Sequence, residues 1–187
     1  SKATLPAIAQ IAHPKGEHGA VPGFAVPLVQ GSDKTALERP MERGQYAIAS
    51  LDRKSVLRLR VVSKEEAGFD PEPLARSPLA SALDPEVIAR VRATWMLMQL
   101  TFESHDAAVF PALDLVLLVA RRLAELSDGV VADPVAQRYL LPDAVIMQPR
   151  LDAKVDAREH VAVRFEPSRE GWHAFTLGLQ KFALPEY

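Results

Sequence analysis

The chain has 187 residues, a formal net charge of −2 at pH 7, 48% hydrophobic residues and no cysteine. This length and hydrophobic content are typical of a globular domain with its own core. The absence of cysteine excludes disulfides, thiolate metal sites and cysteine nucleophiles. The slightly acidic charge disfavours nucleic acid as a partner, because proteins that grip phosphate backbones usually carry a basic excess.

Residues 1–40 form a segment rich in proline and glycine, which interrupt any long helix or strand. We interpret this segment as an N-terminal arm and residues 41–187 as a single domain. Within the arm, we predict a short strand at 24–30, which Pro27 confines to a sheet edge. The N-terminus lacks the uninterrupted apolar run of a secretory signal. The absence of cysteine fits a cytoplasmic chain, so we expect a cytoplasmic location.

A hairpin is predicted at 45–51 and 55–62, where apolar and polar side chains alternate on either side of a charged turn. Arg58 and Arg60 point to the outer face of its second strand. Two adjacent arginines can bind an anion, which makes them candidates for a ligand or partner surface. The pattern favours the alternative, a solvated face or an edge guarded against pairing with another chain.

A helix, a strand and a second helix are predicted next. Asp84 followed by Pro85 is a strong helix start, because the acid can cap the first turn and proline suits the first helical position. The alternating strand at 93–103 should place its apolar face on the core. The helix at 109–126 is nearly all apolar, but it is too short and too interrupted for a bilayer, which needs about 20 residues. We therefore expect no membrane association.

Gly129 is predicted at the C′ position after this helix, where positive φ is common. Two short strands follow at 130–132 and 137–141, joined by a turn at Asp133-Pro134. Strand, helix, strand and strand make up half of a ferredoxin-like unit, in which a right-handed crossover brings the first two strands parallel. We predict an α+β fold: a mixed, largely antiparallel sheet with a ferredoxin-like strand–helix–strand–strand unit and helices mainly on one face.

A second hairpin is predicted at 160–166 and 172–176, again from alternation on both sides of a turn. Val163 and Phe165 are expected to point inward. We interpret Trp172 as a core or interface residue.

Three of the five histidines are candidates for chemistry. His105 follows a strand end beside Glu103 and Asp106, which is a suitable place for an acid–base group. His160 and His173 lie on the two strands of the second hairpin, where they can face each other and form a cationic or metal-competent spot. A structural role is favoured in both cases, because no nucleophile and no third metal ligand is apparent. The sequence therefore predicts no catalytic residue, no cofactor and no metal site.

The last predicted strand ends at Thr176, and the tail beyond it carries Gly178, Phe182, Leu184, Pro185 and Glu186. Upstream, the sequence carries Gly129, Val130, Val131, Asp133 and Pro134. Together they resemble uncharacterised bacterial domain families of unknown function, which carry a Gly-Val-Val-x-Asp-Pro turn and a C-terminal Thr-x-Gly-x3-Phe-x-Leu-Pro-Glu motif. The resemblance implies a bacterial α+β domain and no established chemistry. A histidine that often precedes the glycine in those families is replaced here by Leu177. Their strand continues beyond the motif, so we expect this protein to continue beyond Tyr187.

Three hypotheses about function follow. An apolar surplus without any known catalytic or nucleotide-binding motif favours a non-enzymatic protein-interaction or regulatory module that binds a protein partner or forms a homo-oligomer. The alternative is a hydrolase-type enzyme that uses His105 or a His160/His173 spot. The second alternative, disfavoured by the net charge, is a weak nucleic-acid binder. Its contacts would be Arg58, Arg60, Arg121 and Arg122.

Overall fold

The computed structural model describes residues 4–12, 24–28, 37–50, 56–102, 112–145 and 155–187. It contains both helices and antiparallel strands, which confirms the α+β class. The helices are α1 (Ile8–Ala12), α2 (Glu72–Ala75), α3 (Pro85–Ala93) and α4 (Ala112–Ser127), and 3-10 turns span Pro78–Ala82, Pro142–Ala144, Ala157–Glu159 and Leu179–Phe182. The strands are β1 (Phe24–Leu28), β2 (Gly44–Ser50), β3 (Val56–Ser63), β4 (Met96–Phe102), β5 (Val131–Asp133), β6 (Arg138–Leu140), β7 (Ala162–Ser168) and β8 (Gly171–Leu177).

Four strands form the main sheet, in the order β1-β2-β3-β4 with every neighbouring pair antiparallel. The β2–β3 pair confirms the first predicted hairpin. The strand β1 lies at the edge of this sheet, as Pro27 predicted, because proline has no N–H to donate to a second neighbour. The four strands therefore follow one another across the sheet in chain order.

The main core lies between one face of this sheet and the helices α1 and α4. Alternate residues of β3 are fully buried on this face, and the apolar side of β4 packs against the same cluster, as predicted. The described parts of the segment 1–40 join this core through α1. The buried cluster consists of Ile8, Ile11, Met41, Ile48, Leu57, Leu59, Val61, Leu118, Val119 and Leu123. None of the described helices combines the length and the apolar character that crossing a membrane needs.

Local sequence rules predict the start of α3 correctly and the end of α4 incorrectly. Asp84 caps α3, since its Oδ1 accepts the Glu86 N–H at 2.8 Å, and Pro85 is the first helical residue. The prediction that Gly129 takes the left-handed C′ position after α4 is wrong. Asp128 takes it instead, with φ of 54°, and Gly129 donates its N–H to the carbonyl of Ala124 at 2.8 Å. Asp is one of the few residues besides glycine that tolerates this conformation.

The ferredoxin-like unit is not confirmed. The strands β5 and β6 pair with each other in a separate two-stranded sheet, and within the described residues β4 pairs only with β3. The helix α4 thus connects two sheets. The predicted parallel pairing of β4 with β5 is not formed among the described residues. A sequence pattern fixes the order of elements, but hydrogen-bonding partners depend on which edge the next strand meets.

The second predicted hairpin exists as the two-stranded sheet β7–β8, but its predicted orientation is wrong. Val163 and Phe165 are exposed, and so is Trp172 in the facing strand, which is therefore not a core residue. The opposite face of the hairpin turns to the body, where Arg164 Nη2 donates to the carbonyl of Gln137 at 2.9 Å. Alternation defines two faces of a strand but does not say which face the rest of the protein covers.

Candidate functional site

A buried histidine–aspartate pair joins α4 to the base of the β7–β8 hairpin. His160 lies between the turn Ala157–Glu159 and β7, and its Nε2 is 2.7 Å from Oδ1 of Asp114 in the first turn of α4. The side chains are 1% and 4% exposed. A polar pair at this depth is tolerated only when its atoms are mutually satisfied. The pair therefore ties two elements that are 46 residues apart in sequence.

The C-terminal tail packs around His160. The ring of Phe182 contacts the imidazole edge-on, with the centroids 5.9 Å apart. Gly178 has a φ of +114°, and a Cβ built on it would lie 2.3 Å from the His160 carbonyl oxygen. Glycine is the residue that permits both this backbone conformation and this close approach. Lys181 Nζ donates to the same carbonyl at 2.9 Å.

Lys181 also connects the tail to the β5–β6 turn. Its ammonium forms an ion pair with Oδ2 of Asp133, and the two side chains are largely buried. The other oxygen of Asp133 accepts the backbone N–H groups of Val135 and Ala136, both at 3.2 Å, which confirms the predicted turn. The aspartate thus shapes its own turn with one oxygen and holds the tail with the other.

Glu186 closes the tail into a loop. Its Oε1 accepts the Gly178 N–H at 2.7 Å and the Gln180 N–H at 3.4 Å, and Tyr187 N donates to Thr176 Oγ1 at 2.9 Å. Desolvation opposes ionisation of this carboxyl, but hydrogen bonds from Gly178, the Thr176 hydroxyl and the backbone of Gln180 outweigh it, so the pKa of Glu186 is lowered.

The pair could in principle serve as two members of a catalytic triad, in which an acid orients a histidine base. Within the described residues no hydroxyl hydrogen-bonds to His160, and the ring is sealed by Phe182 and the tail. The described residues also contain no group of three or more potential metal ligands. The arrangement around His160 is that of a structural link between α4, the hairpin and the tail.

Of the other candidate residues, those in the described part of the chain lie apart from this pair. His173 is on β8, opposite Glu166 and exposed, so the prediction that His160 and His173 face each other is wrong. The two are separated because His160 precedes β7 and turns towards α4 instead of lying in the ladder. His105 lies outside the described residues. Arg58 and Arg60 lie on the exposed face of β3 as predicted, and Arg60 pairs with Glu66 at 3.1 Å.

Sequence reasoning missed the role of Asp114. A single acid in an otherwise apolar stretch of helix was visible, and it marked the polar stripe of α4. The useful signal was that a lone buried acid needs a partner, but the sequence did not say which of the distant basic or histidine side chains would supply it.

The hairpin exposes an apolar surface next to this anchored base. Cross-strand partners in β7 and β8 share a face, and one face carries Val163, Phe165, Pro167, Trp172 and Ala174. We call these five residues the hairpin apolar face. Val163 is 57% exposed, Phe165 66% and Trp172 75%. Among the described residues, the candidate functional surface is therefore this face rather than His160 or His173.

Comparison of the chain with known protein families, with curated proteins and with solved structures finds no match.

We predict that His160→Ala lowers the free energy of unfolding by about 3–5 kcal/mol, because it leaves the Asp114 carboxylate buried without its partner. Urea denaturation followed by circular dichroism measures this change. His173→Ala is the matched control, since an exposed histidine outside the core should cost no more than about 0.5 kcal/mol. Equal effects of the two substitutions would contradict the structural role of the pair.

Gly178→Ala should destabilise the protein by at least about 2 kcal/mol, because it combines a disfavoured positive φ with a collision against the His160 carbonyl. Gly171→Ala provides the control: its φ is also positive, at +133°, but a Cβ there meets nothing within 4 Å. Thermal unfolding of both variants separates the collision from the backbone strain. A loss in Gly178→Ala no larger than in Gly171→Ala would show that the close approach is unimportant.

The lowered pKa of Glu186 predicts a pH dependence of tail docking. Since the folded-state pKa lies below the ordinary value of 4.5, the ionised carboxylate stabilises the tail above that pH, and the contribution is lost as the pH falls through the folded-state pKa. The Gly178 amide resonance should titrate with a midpoint below 4.5, and this titration should vanish in Glu186→Gln. Glu170→Gln, in the exposed hairpin turn, controls for the loss of one carboxylate. A midpoint above 4.5 would be the opposite result.

Proposed function

We propose that this chain is a non-enzymatic protein-interaction module that binds a protein partner through the hairpin apolar face. The observation that carries the proposal is the orientation of the hairpin. Its side with Val163, Phe165 and Trp172 points to solvent, whereas the side that carries Arg164, Phe175 and Leu177 is partly covered. An apolar sheet face normally lies against a covering layer, so a second apolar face left in solvent is expected where another protein supplies the cover.

The size of this surface fits a specific but moderate interaction. Large aromatic side chains offer about 150–250 Å² each, so the three large exposed side chains present on the order of 400 Å² of apolar surface. Patches of this size are often functional on monomers. A standard interface covers about 800 Å² on each partner. The hairpin apolar face would therefore form the centre of an interface whose rim lies on neighbouring polar residues.

Neither alternative function draws comparable support. The imidazole of His160 is buried and hydrogen-bonded to Asp114, and His105 lies outside the described residues. The arginines considered for nucleic acid are partly neutralised by acids: Arg60 pairs with Glu66, and Arg121 and Arg122 both pair with Glu125. Paired arginines have less charge to offer to phosphate groups. A cytoplasmic location and a bacterial family remain part of the proposal and rest on the absence of cysteine and on the tail motif.

Trp172→Thr tests the proposal, because buried tryptophans are the commonest interface hot spots and threonine keeps the strand propensity. We expect the immobilised chain to retain its protein partner from a lysate of the source organism, and the variant to retain it at least about tenfold less. Val56→Thr is the matched control, since Val56 is also exposed but lies in β3 of the main sheet. Equal retention by wild type and Trp172→Thr, or no protein retained by either and no self-association, would contradict the proposal.

A further inference from the structure

We propose that β7 pairs through its outer edge with β7 of a second copy of this chain, antiparallel and with a two-fold axis at Phe165. The inference rests on the proposed interaction function and assigns one partner to it. Pairing of this kind would join two hairpins into one four-stranded sheet in the order β8-β7-β7-β8. It would also place the hairpin apolar faces of both copies side by side on the same surface of that sheet.

The two edges of the hairpin differ in how they are covered. Thr176 donates its backbone N–H to the carbonyl of Tyr187, so this N–H points away from β7 and the tail covers that edge of β8. Thr176 pairs with Val163 in the register. Because backbone groups alternate in direction along an antiparallel strand, Val163 and Phe165 direct their N–H and C=O groups away from β8. Within the described part of the chain no backbone group hydrogen-bonds to this edge of β7.

The charges of β7 are complementary to themselves in the proposed register. With the axis at Phe165, Arg164 of each copy lies opposite Glu166 of the other, so the dimer contains two cross-strand pairs of opposite charge. Directly opposed charges stabilise an antiparallel pair when their signs differ and destabilise it when they agree. Glu166 is exposed, and Arg164 uses one of its five donors on Gln137. Both side chains therefore retain the capacity for this contact.

The apolar side chains agree with the same register. Phe165 of one copy lies beside Phe165 of the other, and Val163 lies opposite Pro167. Aromatic and β-branched cross-strand neighbours are favourable, and the contact covers part of two side chains that are 57% and 66% exposed. Pro167 lacks an N–H, so the ladder has four backbone bonds: two between the Phe165 residues and two from Val163 N–H to Pro167 C=O. A ladder this short predicts a reversible dimer with a dissociation constant on the order of micromolar.

Charge reversal and mixing test the register. Arg164→Glu places two carboxylates opposite each other at each contact, and Glu166→Arg places two guanidinium groups there, so each variant alone should dimerise at least about tenfold more weakly than wild type. A mixture of the two variants restores opposite charges at both contacts of the heterodimer, whose dissociation constant should lie within about threefold of the wild-type value. Sedimentation velocity over a concentration series, with one variant carrying a fluorescent label, measures all of these constants.

The matched controls are Arg169→Glu and Glu170→Arg, which make the same charge changes in the exposed turn outside the proposed ladder. They should dimerise like wild type. Recovery on mixing also excludes misfolding as the cause of weakness in the single variants. A monomeric wild type, a dimer insensitive to the β7 reversals, or a mixture that fails to recover would each overturn the inference. The proposed function would stand in those cases if Trp172→Thr still abolished retention of a different protein.

Discussion

The hydrogen-bonded pair of His160 and Asp114 is the constraint on which the second half of the structure depends. It is a polar contact between two buried side chains, so its atoms must hydrogen-bond to each other and not to water. The requirement fixes the chain entering β7 at one point on α4, and the tail then closes over it through Phe182, Gly178 and Lys181. An apolar contact would tolerate sliding, whereas a hydrogen bond at 2.7 Å does not.

This anchoring explains why the tail motif has no apparent chemistry of its own. Gly178 permits the approach to the His160 carbonyl, Phe182 covers the imidazole, Glu186 ties the loop, and Thr176 holds the last residue. Asp133, from the upstream motif, meets the tail through Lys181. These residues of the two motifs thus meet in one structural junction, where they serve through their shape, their hydrogen bonds or their charge.

The junction around His160 also determines how the β7–β8 hairpin is presented to solvent. The β7–β8 hairpin is held at its base by the junction and on its inner face by Arg164, so its outer face and the outer edge of β7 are presented in a fixed orientation. Pre-organisation of this kind reduces the ordering cost of association. An isolated two-stranded hairpin is marginally stable in water, so the junction provides the stability that the hairpin lacks and leaves its apolar side exposed.

The sequence by itself determined the α+β class, the first hairpin, the capped start of α3, the edge position of β1 and the turn at Asp133, because each of these depends on local periodicity, proline geometry or side-chain capping. It identified both strands of the second hairpin but assigned the wrong face to the interior. Only the tertiary structure decided that the β5–β6 pair forms a sheet of its own and does not extend from β4, that His160 turns to Asp114 rather than to His173, and that Val163, Phe165 and Trp172 face solvent. These outcomes depend on contacts between residues distant in the chain, and a pattern that repeats every two residues carries no information about what lies on the other side.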